Sequence, residues 1–100
     1  MLVKIHKSYR DVIAICDSEL LGKKFEETGK NTQLDLTGEF FRGEEKTEEE
    51  TRELIEDALK EDAIFNIVGK QSISIALETG VIKKQGVIKI QGIPVALTLL

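Results

Sequence analysis

Residues 47–69 read TEEETRELIEDALKEDAIFNIVG, and their reading decides the fold. Thr47 with Glu50 three residues later is a capping box: the hydroxyl accepts from the third helical amide, and the glutamate reaches back to the cap. Glu48, Glu49 and Glu50 put negative charge at the positive end of the helix dipole. Leu54, Ile55, Ala58 and Leu59 share one helical face, and the rest of the surface is charged. The pattern predicts a helix from Thr47 to about Asp62. Ala63 to Val68 then reads as a buried strand that Gly69 stops.

Upstream, Val3 and Ile5 alternate with Lys4 and His6, as in a half-buried strand. Ser8 to Asp11 is a polar break, and Val12 to Cys16 is β-branched and apolar. These residues predict a β-hairpin. Asp17 or Ser18 is suited to cap a short helix through Leu20, Leu21 and Phe25, ended by Gly29. Leu34 and Leu36 alternate with polar neighbours ahead of Phe40 and Phe41. That stretch fits one strand bent at Gly38 or two short strands. Downstream, residues 70–79 fit either period, and Gly80 as a C-cap decides for a helix. Val87 to Ile90 and Val95 to Leu99 read as strands, with Pro94 at a strand start or an edge. The expectation is one α+β domain over residues 1–100. It has a mixed or antiparallel sheet bearing two or three helices.

Composition agrees. A hydrophobic share of 41% beside 32% charged residues is globular rather than disordered. With no Trp, the core is aliphatic. The single cysteine, Cys16, excludes an intramolecular disulfide and a multi-cysteine zinc site, and points to a reducing cytoplasm. The N-terminus alternates apolar and charged residues, unlike a signal peptide. No apolar run approaches the ~20 residues that span a bilayer, so no membrane partner is expected. The net charge of −4 is uneven. Residues 1–30 carry +1, residues 31–62 carry −8 and residues 63–100 carry +3. The acidic excess is local, so the two ends can still meet an anionic partner.

Chemistry-bearing residues stay scattered in this reading. Cys16 and His6 are the first catalytic temptation, since a thiolate needs a nearby base or positive field. A four-residue hairpin loop would put them on opposite sheet faces, and an odd loop on one face. No third orienting group accompanies them. Gly69-Lys70 evokes a phosphate loop, but the required positions hold Ile64 and Gln71. Lys70 at a helix start keeps a milder attraction for anions. The acids from Glu44 to Glu50 lack calcium-loop spacing. No metal and no cofactor is expected. Phe41 with Arg42, in the run Phe40-Phe41-Arg42-Gly43, offers an aromatic surface for bases. Lys83 and Lys84, with Lys89 and the lysines of the first hairpin, would form a phosphate-binding patch if the end strands joined that hairpin.

Several blocks are familiar together. They are Cys16-Asp17-Ser18-Glu19-Leu20-Leu21-Gly22-Lys23, Phe40-Phe41-Arg42-Gly43-Glu44, Asn66-Ile67-Val68-Gly69-Lys70, and Ile90-Gln91-Gly92-Ile93-Pro94. In this order the chain resembles a small, mainly archaeal family known as domain of unknown function 424. The resemblance implies a single-domain protein without an assigned activity, in an archaeal cytoplasm. Members often carry a polar segment after the final proline, where this sequence has Val95-Ala96-Leu97.

The expected function is a non-enzymatic binding module associated with RNA or a ribonucleoprotein. Its candidate residues are Lys70, Lys83, Lys84, Phe41 and Arg42. The alternative is a protein-interaction or homo-oligomerising domain using residues 95–100. A small-molecule enzyme using Cys16 ranks last.

Overall fold

The computed structural model describes residues 1–27, 29 and 32–98. Strands β1 (Leu2–His6) and β2 (Val12–Cys16) form the expected hairpin. Its loop holds five residues, closed by a Lys7–Asp11 ion pair at 3.1 Å. A second hairpin, β3 (Lys24–Glu27) with β4 (Thr32–Asp35), follows. Next come the two-residue strand β5 (Glu44–Glu45), helix α1 (Glu48–Lys60) and strand β6 (Ile64–Val68). Helix α2 (Lys70–Thr79) and strands β7 (Ile88–Ile90) and β8 (Ile93–Leu97) complete the chain.

Six strands make one mixed sheet in the order β5-β1-β2-β6-β8-β7, with β2 and β6 parallel and the other pairs antiparallel. The fold is α+β, and its radius of gyration of 12.8 Å is that of a compact domain of this length. Alternation along the strands builds two apolar layers. Val3, Ile13, Ile15, Phe65, Ile67 and Ala96 face α1 and α2. Ala14, Cys16, Val68 and Ile90 face the other way, under Leu34 and Leu36 of the small hairpin and its exit.

The capping box forms as read: the Glu50 amide donates to the Thr47 hydroxyl at 3.1 Å, and the Thr47 amide to the Glu50 carboxylate at 2.9 Å. Ile55 is fully buried, whereas Leu59, expected on the core face, is exposed and Thr51 takes a buried place instead. Residues 70–79 are helical, ended by Gly80 at φ 82°. Pro94 is the second residue of β8, where its missing N–H disturbs the ladder least. Leu99 and Leu100 lie outside the described residues.

Two further expectations are corrected. Between Asp17 and Gly29 there is one 3-10 turn, Ser18–Leu20, and then strand β3. Asp17 does not cap that turn; its carboxylate caps α2 instead. Phe40 and Phe41 are not in a strand. They are the middle of a turn closed by the Arg42 amide on the Glu39 carbonyl at 3.1 Å.

Candidate functional site

Because β5 pairs only with Leu2 and Val3, the sheet edge is open beyond them and Ile5 stays 43% exposed. Ile5 and Ile13 then form a floor beside α1, joined by Leu54, Ala58 and Ala63. The resulting groove measures about 430 Å³, within the range of binding pockets. Its rim is anionic: Glu50, Glu53 and Asp57 stand along α1, Glu61 follows at the helix C-cap, and Asp11 faces them from the hairpin loop. Lys46 is the one cation among the lining residues. Its ammonium already meets the Glu44 carboxylate at 3.4 Å.

The Thr47 amide holds the Glu50 carboxyl below its ordinary value, so it stays ionised. Among the described residues, Glu53, Asp57 and Glu61 enter no ion pair, whereas Glu44, Glu45 and Glu78 each do. A second depression of about 480 Å³ continues the groove along the β1 edge, sharing Ile5, Lys46 and Leu54 with it and adding Lys4 and Arg42 to its lining.

Of the candidate residues singled out in the sequence, Arg42 lines this second depression and the others lie elsewhere. The five-residue loop puts His6 and Cys16 on one sheet face, but Cys16 faces Leu2, four residues from His6. That separates them by roughly 13 Å along the strand. Burial raises the Cys16 thiol to about 11, helped by the Asp17 charge. The thiol therefore carries almost no thiolate at neutral pH.

The start of α2 is filled from within. Asp17, itself buried, accepts the Gln71 amide at 3.1 Å, the Ser72 amide at 2.8 Å and the Ser72 hydroxyl at 2.7 Å. An internal carboxylate thus occupies the position an external anion would take beside Lys70. Gly69 makes room for it: at φ 109°, a Cβ there would lie 2.3 Å from the Asp17 carboxyl carbon.

The family model described as "Protein of unknown function (DUF424)" matches residues 6–99. The chain belongs to this family. No curated protein matches it. The DUF424 fold is shared by a solved structure titled "Crystal structure of an uncharacterized conserved protein from Methanopyrus kandleri". That protein is 22% identical, with a TM-score of 0.84 over 97% of this chain and 88% of that one. At this identity the likeness is one of fold.

On the DUF424 fold, the aromatic pair divides in the opposite sense to the candidate residue. Phe41 is 9% exposed and belongs to the core under the small hairpin, while Phe40 is 42% exposed. Phe40 stacks on His6 with ring centroids 4.4 Å apart, and the His6 ring also meets the Phe40 carbonyl. Nearby, Arg42 pairs with Glu39 at 3.3 Å and the Lys4 ammonium donates to the Glu39 carbonyl at 3.0 Å.

The lysines do not converge. Lys70 and the Lys83–Lys84 pair stand at opposite ends of α2, roughly 15 Å apart. The end strands do join the hairpin's sheet, but β7 lies four strand spacings from β1, roughly 19 Å. Lys89 therefore cannot share a patch with Lys4. Among the described residues, no group of three or more His, Cys, Asp or Glu is placed to hold a metal ion, and no helix is long and apolar enough to cross a membrane. Sequence reading missed the groove. The signal available was the recurrence of acids at Glu50, Glu53, Asp57 and Glu61.

Proposed function

We propose that this protein is a non-enzymatic binding module whose working surface is the groove between α1 and the β1–β2 hairpin, and whose partner is a cationic segment of another protein. The observation that carries this is the apolar floor of Ile5, Leu54 and Ala58 under a carboxylate rim in which Glu53, Asp57 and Glu61 enter no ion pair among the described residues. Apolar floor supplies affinity by desolvation, while a predominantly anionic rim selects and steers the partner. A single buried thiol suits the reducing cytoplasm, and we place the module there.

A second reading is RNA binding on the opposite sheet face. In its favour is the exposed Phe40 ring beside Lys4 and Arg42. Self-association through the final strand has the 52% exposure of Leu97 in its favour.

Affinity capture from native lysate separates these readings. The bait is compared with a Glu53→Lys/Asp57→Lys variant, with and without nuclease. The groove reading expects protein partners that survive nuclease and are lost with the variant. Partners lost to nuclease but retained by the variant would overturn it for RNA. Capture of the chain's own copies alone, unaffected by the variant, would overturn it for self-association.

A further inference from the structure

The rim has a period. Glu50, Glu53, Asp57 and Glu61 follow at intervals of three, four and four residues along α1 and its C-cap, and all four line the groove. At ~1.5 Å per residue the row is roughly 16 Å long. Ile5, Leu54 and Ala58 run beside it as a parallel apolar strip.

We propose that the segment received by this groove is an α-helix that carries Lys or Arg at three- and four-residue spacing along one margin of an apolar stripe. The proposal rests on the protein-binding reading above and specifies its partner. A helix laid along α1 repeats its own side chains with the same rise, so its cations stay in step with the whole carboxylate row. Packed helices keep axes roughly 8–10 Å apart. At that distance long Lys and Arg side chains reach the row while aliphatic side chains meet the floor. Lys46 lies at the Glu50 end of the groove. The partner's cations therefore gather toward Glu53, Asp57 and Glu61, and its residue opposite Lys46 is neutral or acidic.

An extended partner fits less well. Added to the open edge of β1, it would need the place beyond β5. The pairing of Leu2 with Glu45 and Val3 with Glu44 sets Gly43 opposite Lys4. Gly43 is pressed onto that edge, because a Cβ there would lie 2.1 Å from the Val3 carbonyl oxygen. An incoming strand would displace Gly43 and pull on the buried Phe41 two residues before it. A helix resting on α1 and Ile5 displaces neither.

The test uses the full chain and synthetic peptides of about 18 residues, enough for five helical turns. All share one composition of Lys, Leu, Ala and Gln. The first places lysines at the three-four-four spacing beside a leucine stripe. The second alternates lysine with leucine, and the third spreads lysines around the helix. Binding is read by fluorescence anisotropy at low and moderate salt, and peptide helicity by circular dichroism. The first peptide is expected to bind about tenfold or more tightly than the others, to gain helix on binding, and to weaken about tenfold on Glu53→Lys/Asp57→Lys. Should that variant unfold, Glu53→Gln/Asp57→Asn takes its place. Equal binding of all three peptides, lost in the variant, would overturn the helical partner and leave the protein-binding reading standing. So would strongest binding by the alternating peptide. Binding of no peptide, or binding indifferent to both salt and the variant, would overturn both.

Discussion

Replacing Gly69 by Ala should destabilise the fold chiefly by evicting Asp17, and a double-mutant cycle can show it. Gly69 has φ 109° and ψ 156°, a region essentially reserved for glycine, which costs other residues about 1–3 kcal/mol. The new methyl would also lie 2.3 Å from the Asp17 carboxyl carbon. That carboxylate cannot step aside freely, because it accepts three hydrogen bonds from Gln71 and Ser72. Asp17→Ala alone removes a helix cap and leaves buried donors unmet, together about 3 kcal/mol. Gly69→Ala alone therefore adds the backbone strain to most of that loss, about 5 kcal/mol in all. In the Asp17→Ala background only the strain remains, about 2 kcal/mol. The two changes should thus fall about 3 kcal/mol short of additive. Urea denaturation of the four proteins measures this, with an osmolyte present if the double variant is marginal. Additivity within about 0.5 kcal/mol would refute the contact between Asp17 and Gly69.

Phe41→Ala should cost about 3–4 kcal/mol by opening the core under the small hairpin, while Phe40→Ala changes thermal stability little; equal losses would reverse their assignment. Acid should weaken the fold through Glu45 and Glu50, whose folded values are depressed, Glu45 chiefly by the N-terminal ammonium and Glu50 chiefly by the Thr47 amide. A depressed carboxylate contributes stability that is present above its unfolded value of 4.5 and lost as pH falls through the lower folded one. Urea midpoints should therefore drop on the acid side of 4.5, and less so in a Glu45→Gln/Glu50→Gln variant. Cys16 should resist iodoacetamide at pH 8 in the native protein and react on unfolding, because the thiol is buried and raised to about 11; rapid native alkylation would contradict its placement.

The legible parts of the fold were those whose causes are local. The capping box at Thr47 and Glu50, the hairpin alternation from Val3 to Cys16 and the Gly80 stop of α2 all act within a few residues. Misread parts had distant causes. Asp17 looks like the cap of the next helix, yet its oxygens bind residues 54 and 55 positions away. Without that cap, and with Gly22 at φ 86°, the following residues pair as a strand. Phe40 and Phe41 carry the same β propensity; the turn closed by Glu39 and Arg42 buries one and exposes the other. The groove was least legible, since it exists only because β5 stops after two residues and leaves Ile5 uncovered.

That groove stands apart physically from the other candidates. At the start of α2 the polar groups answer one another, carboxylate to amide and hydroxyl, and at Cys16 the thiol is sealed in apolar surroundings. On the groove side of α1, by contrast, Glu53, Asp57 and Glu61 sit four residues apart with like charge, an arrangement that opposes the helix rather than supporting it. Lys60, one position away, is not among the groove's lining residues. A fold gains nothing in isolation from aligning like charges beside exposed Ile5. A cationic partner would relieve the repulsion and cover the isoleucine at once, so both costs carried by the free protein become contributions to binding.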